Sequence, residues 1–195
     1  KAYANECLEI NQYFGPAPVS LESWQERILA QKISNEHITR EMLTEAFADL
    51  VIPERFLSRL GPAVNSGTAI LIYGPAGNGK TTVAEIVGDI FKNVVYVPYC
   101  IEADGQIIKV FDPTVHQRIE KAIPEGEEAS SLRRENIDKR WVPCYRPMVI
   151  TGGELTLEML DLKFNEDAKF YEAPLHIKAL NGTFLIDDFG RQKVA

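Results

Sequence analysis

Eight consecutive residues, Gly74-Pro75-Ala76-Gly77-Asn78-Gly79-Lys80-Thr81, match the spacing G-x-x-x-x-G-K-[S/T] in full. Each position has a chemical reason. Glycines let the backbone bend until successive N–H groups point inward at phosphate oxygens, with no side chain in the way. Lys80 brings a full positive charge to the terminal phosphates of a nucleoside triphosphate, most simply ATP. Thr81 offers a hydroxyl to Mg2+ while opening a helix whose N-terminal dipole favours the same anion. The candidate ligand-binding residues are therefore Pro75, Ala76, Gly77, Asn78, Gly79, Lys80, Thr81 and Thr82, with Lys80 also a candidate catalytic cation. Average glycine usage of about 7% makes a chance match in a chain of this length on the order of 1%.

A second candidate begins 102 residues after Thr81, where Thr183-Phe184-Leu185-Ile186-Asp187-Asp188 sets two carboxylates at the end of a short apolar run. Ligands in open α/β sheets bind at the carboxyl ends of strands. There Asp187 is placed to hold Mg2+ and Asp188 to orient or deprotonate an attacking water. Read alone, the same residues could be no more than a turn after a strand. Asp188-Phe189-Gly190 also matches the metal-binding triplet of protein kinases, but the other kinase motifs are missing.

Other chemistry finds little support. His37, His116 and His176 share no ligand spacing, no G-x-S-x-G occurs, and Cys7, Cys100 and Cys144 form no C-x-x-C pair. They read as three reduced thiols in a cytoplasmic protein. Tyr96, Tyr99 and Tyr145 read as strand packing.

The elements that must position these residues follow from periodicity. Ala2 to Tyr13 reads as a helix tail before the Phe14-Gly15-Pro16-Ala17-Pro18 break. Ser20 caps a helix to about Gln31, with Leu21, Trp24, Ile28 and Leu29 on one face. A helix from Thr39 to Leu50 carries Met42, Leu43, Ala46 and Phe47 inward, and Pro53 opens another that ends near Gly61 and Pro62. Thr68 to Tyr73 is an apolar run of the kind buried on both faces of a parallel sheet. Thr81 to Phe91 then predicts a helix with Val83, Ile86, Val87 and Ile90 inward, and Val94 to Val97 a second strand. Beyond it, Gln106 to Phe111 follows an Asp104-Gly105 turn, Val115 to Ala122 reads as a short helix, and Pro124 to Asp138 as a polar loop. Trp141 to Ile150 is strand-like despite two prolines, Glu154 to Leu162 helical, and Thr183 to Ile186 a strand.

The formal charge of −7 argues against a nucleic-acid footprint. Arg133, Arg134, Lys139 and Arg140 cluster, but Glu125, Glu127, Glu128 and Glu135 are interleaved with them, as on a solvated loop. No apolar run long enough for a bilayer is present, and the start lacks the order of a signal peptide. The absence of an initial Met suggests a piece of a longer chain.

Together the two motifs resemble those of the AAA+ ATPases: Gly74 to Thr81 the first nucleotide motif, Phe184 to Asp188 the second. The lead-in, Phe170-Tyr171-Glu172-Ala173-Pro174-Leu175 and then Asn181-Gly182-Thr183, is similar to that of MoxR-like ATPases and bacterial enhancer-binding activators. The wider run from Asn11 to Gln192 resembles bacterial proteins loosely described as ATPases with chaperone activity. The resemblance implies a P-loop NTPase three-layer α/β sandwich with a mostly parallel sheet, preceded by a helical segment over residues 1–50. It also implies an insertion at about residues 99–147 used to grip partners, and Val51 and Ile52 flanking the adenine. It further implies homo-oligomeric rings, often hexamers, that bind ATP and ADP and remodel a protein client.

Two departures matter. The second acidic residue of the family is usually Glu, so Asp188, one methylene shorter, implies slow hydrolysis. The sensor, arginine finger and helical lid of the family would lie beyond Ala195, so residues 1–195 alone are not expected to complete a ring site. Two other classes stay open beside an ATP-driven remodelling motor: a P-loop kinase for a small molecule, and a nucleotide-gated binding module with little turnover.

Overall fold

The computed structural model describes residues 11–119 and 138–192. The helix tail expected over Ala2 to Tyr13, most of the Pro124 to Asp138 loop and Cys7 lie outside them, apart from Asn11 to Tyr13 and Asp138. The chain is mixed α/β, and its elements gather around two hydrophobic clusters.

The first cluster is helical. Helix α2 (Arg40–Ala46) starts where the Thr39 hydroxyl accepts from Met42 N–H, and α3 (Glu54–Asn65) follows Pro53. They pack with α4 (Lys80–Asp89) around Leu43, Phe47, Leu60, Val64, Val83 and Ile90. Helix α3 runs through Gly61 and Pro62 to Asn65 instead of ending near them, because Pro62 falls where the helix already buries Leu60 and Val64. Met42, expected inward, is exposed.

The second cluster joins strands to helix α1 (Leu21–Ala30), which the Ser20 hydroxyl caps by accepting from Ser23 N–H. Leu21 and Trp24 pack inward, and the Arg27 guanidinium lies over the rings of Tyr96 and Trp141. Leu29, expected on the same face, is exposed. The cores do not divide at residue 50: α1 belongs with the strands, whereas α2 shares its core with α3 and α4.

Strands β1 (Val19–Ser20), β3 (Cys100–Ala103), β4 (Gln106–Lys109), β8 (Phe170–Glu172) and β7 (Lys163–Asn165) form one sheet in the order β1-β3-β4-β8-β7. The pairs β1/β3 and β4/β8 are parallel, and β3/β4 and β7/β8 antiparallel. The β3/β4 hairpin turns on Asp104 and Gly105, both at positive φ (50° and 74°), as a two-residue primed turn requires. Strand β2 (Val95–Pro98) pairs antiparallel with β5 (Trp141–Cys144), and β6 (Met148–Thr151) pairs parallel with β9 (Thr183–Ile186). Short helix α5 (Leu175–Lys178) leads into β9.

Five expected elements differ. Trp141 to Ile150 breaks at Tyr145–Pro147 into β5 and β6, which pair in different sheets, and the helix expected to Leu50 ends at Ala46. Thr68 to Tyr73 forms no ladder among the described residues, and Leu71 and Tyr73 are 71% and 87% exposed. An apolar, β-branched run becomes a strand only where a neighbour supplies hydrogen bonds and cover; here the facing edge of β9 stands across an open trench. Gln117 to Ile119 is not helical but bridges to Pro143–Tyr145, with Ile119 N–H donating to Pro143 O and Tyr145 N–H to Gln117 O. Glu154 to Leu162 tightens to a single 3-10 turn at Leu157–Leu160.

Candidate functional site

The glycine-rich loop runs from Gly74 into α4, whose cap is Gly79. Gly77 and Gly79 hold φ of 79° and 68°, in the left-handed region, and a Cβ at either would meet nothing within 4 Å. Their value is thus conformational freedom together with an open approach to the backbone. Lys80 folds back so that Nζ donates to Pro75 O at 2.9 Å. Pro75, Ala76, Asn78 and Thr82 are exposed around this turn.

Strand β9 carries the acidic pair to the same place. Gly182 precedes it where any Cβ would overlap the Pro147 carbonyl, so only glycine lets Thr183 N–H reach Pro147 O at 2.8 Å and start the β6/β9 ladder. The ladder ends with Asp187 N–H donating to Thr151 O at 2.7 Å. Beyond it the Asp187 carboxylate accepts from two directions: Oδ2 from the Thr81 hydroxyl at 3.0 Å and Oδ1 from Asp188 N–H at 2.9 Å. The two motifs read from the sequence therefore meet through one hydrogen bond. Asp188 sits at φ 50°, with its carboxylate 64% exposed and 3.6 Å from Arg191.

Between these pieces opens a trench of about 960 Å³. Segment 68–74 forms one wall and Gly182 to Phe189 the other, with Lys80, Thr81, Ala84 and Val87 of α4 below. Its size suits a small-molecule ligand, since such sites run to roughly 300–1,000 Å³. Val51 and Ile52 stand outside it. Val51 is fully exposed, and Ile52 packs against the helical cluster.

Behind β9, one cluster of polar residues, not disclosed by the sequence, ties the turn before β6 to residues 31–36 and to Asn181. Arg146, on the turn before β6, donates through Nε to Glu36 at 2.6 Å, through Nη1 to Gln31 O at 2.9 Å and to Asn181 O, and pairs again with Glu36 through Nη2. Gln31 in turn brackets Tyr96, its Oε1 accepting from Tyr96 N–H and its Nε2 donating to Tyr96 O. An isolated Arg before a proline gave no signal of this, because its partners come from two distant segments, residues 31–36 and Asn181.

His116 is buried between one near partner and one distant one. Its Nδ1 accepts from Asp112 N–H and its Nε2 meets Lys178 O, both at 2.9 Å. Among the described residues no group of three or more His, Cys, Asp or Glu side chains could hold a metal ion. Cys100 and Cys144 are free and buried, and burial pushes the Cys144 thiol up to about 11. Among the described residues no helix is long and apolar enough to cross a membrane. No family model matches the chain, and no curated protein sequence matches it.

Proposed function

We propose that the chain binds Mg-ATP through residues 74–82, in the manner of an AAA+ type P-loop ATPase, and couples hydrolysis to the remodelling of a protein partner. The observation that carries this reading is the 3.0 Å hydrogen bond from Thr81 to Asp187, which joins the first and last nucleotide motifs across 106 residues of sequence.

The phosphates of the nucleotide lie against the backbone N–H groups of the turn and the N-terminus of α4, where the partial positive charge of the helix adds to that of Lys80. Lys80 exchanges a neutral carbonyl partner, Pro75 O, for phosphate oxygens, a charge-assisted bond that is roughly twice as strong. Thr81 and Asp187 present two hard oxygen donors at one point. This set fits Mg2+, which is typically held by one or two protein oxygens plus phosphates and waters rather than by an all-protein cage. When bound there, the ion would supply charge neutralisation between the β and γ phosphates. In this reading Asp188, beside Asp187 and open to solvent, is the residue that orients a water. The base-flanking role of Val51 and Ile52 gains no support from their places outside the trench. Ring assembly and a protein client rest on the resemblance alone, and a cytoplasmic setting rests on reading the three cysteines as reduced thiols.

A second reading, a nucleotide-gated switch with little turnover, is favoured by Asp188 itself, whose short carboxylate faces Arg191 rather than the Thr81–Asp187 pair. Phosphate release by the intact protein separates the two. The motor predicts release that disappears in Lys80→Ala, and Asp188→Asn that still binds ATP but no longer hydrolyses it. Normal hydrolysis by Asp188→Asn removes that residue from catalysis, and tight binding without turnover in the unmodified protein favours the switch.

A further inference from the structure

We infer that Gln192 is a positioning residue for the metal-facing carboxylate of Asp187, an inference that rests on the nucleotide reading above. The chain leaves β9 at Asp187, turns through Gly190 at φ 95°, and returns so that the Gln192 side chain lies back along the turn. The amide grips it from both sides. Oε1 accepts from Gly190 N–H at 2.7 Å, and Nε2 donates to Asp187 O at 2.9 Å and Asp188 O at 3.2 Å, with Gly152 O a longer third neighbour at 3.5 Å.

The consequence follows from peptide planarity. The carbonyl of Asp187 and the N–H of Asp188 belong to one rigid plane. Gln192 holds the oxygen end of that plane. The nitrogen end donates to Asp187 Oδ1, leaving Oδ2 turned to the Thr81 hydroxyl. Gln192 therefore fixes the direction of the carboxylate through the backbone, without touching it. It also supports Asp188 in its left-handed conformation by holding that residue's own carbonyl. The longer bond to Gly152 O fastens the turn to the end of β6, which carries the Thr151 carbonyl that accepts from Asp187 N–H.

The test is calorimetry of ATP binding to the intact protein, once with excess Mg2+ and once with a chelator. Gln192→Met keeps length and volume but removes both the donors and the acceptor. The expected result is an unchanged affinity for metal-free ATP and a loss of about 10-fold in the enhancement that Mg2+ gives, the size typical of groups that orient a metal ligand. Gln192→Asn keeps the amide but is one methylene too short to hold both carbonyls; it should lose part of the enhancement, and it carries the test should the Met variant not fold. An enhancement unchanged in these variants overturns the inference, as does an equal loss with and without Mg2+. Failure of the nucleotide reading looks different: the unmodified protein then binds ATP in neither condition.

Discussion

Acidification should loosen the chain at His116 before it reaches the carboxylates, and the structure sets the size of the effect. The ring is 2% exposed. Its Nδ1 receives the N–H of Asp112, so that nitrogen must carry a lone pair, and Nε2 must carry the proton that the Lys178 carbonyl accepts. Protonation would set two N–H donors against each other at Nδ1. The groups facing the ring are the Asp112 carboxylate and the Lys178 ammonium, which are paired at 2.7 Å and largely cancel, and the Phe111 ring stacked at 5.6 Å. Burial is the leading cause that holds the His116 pKa below its ordinary value of 6.5. The unfolded chain thus takes up a proton near 6.5 while the folded chain still refuses it. Stability is full above that pH and falls as the pH drops toward the folded value, by at most about 1.4 kcal/mol per pH unit. Asp112 has a separate window. Its partial burial favours the neutral acid, but hydrogen bonds from Lys178 and Thr114 outweigh this and hold its carboxyl well below the usual range. That contribution is full above about pH 4 and is lost only below it. Urea denaturation between about pH 8 and pH 5, on the unmodified protein and on His116→Gln, isolates the histidine. The glutamine amide can accept from Asp112 and donate to Lys178 without titrating, so the slope below 6.5 should flatten. The same slope in both proteins refutes the reasoning.

Two further perturbations follow from the supports behind β9. Arg146→Met leaves the Glu36 carboxylate, 12% exposed, without its partner and removes the donor to Gln31 O and Asn181 O. A loss of about 3–5 kcal/mol is expected by equilibrium denaturation, partly recovered when Glu36→Gln is added. Gly182→Ala drives a Cβ into the Pro147 carbonyl and should cost about 1–3 kcal/mol, with the nucleotide affinity reduced because β9 shifts under Asp187. Wild-type stability in that variant would show that the strand start is not constrained there.

The parts of this molecule legible in its sequence are those with local causes. Ser20 capped its helix, Asp104-Gly105 made its hairpin, and the phosphate-loop spacing and the Asp187-Asp188 pair converged on one place. Thr68 to Tyr73 misled because its composition reports a buried strand, while burial depends on a ladder partner, and none pairs with it among the described residues. Glu154 to Leu162 misled because its apolar spacing fits a helix, yet Gly152 and Gly153 precede it and Glu154 spends its carboxylate on the Gly152 N–H at 2.7 Å. His116 and Gln192 were silent because each works through backbone groups, and a carbonyl or an N–H has no signature in the sequence; Arg146 was silent because its carboxylate partner, Glu36, lies 110 residues away.

The central claim is that a bent backbone, one ammonium group and the Thr81–Asp187 pair form a seat for a triphosphate. Isothermal titration of the folded, intact protein with Mg-ATP tests it most directly, alongside Lys80→Ala. The account predicts saturable heat of binding in the unmodified protein and a loss of at least about 10-fold in affinity in the variant, as removal of a charged hydrogen-bond donor implies. Equal affinity in both proteins, or no heat with any purine nucleotide, would contradict it.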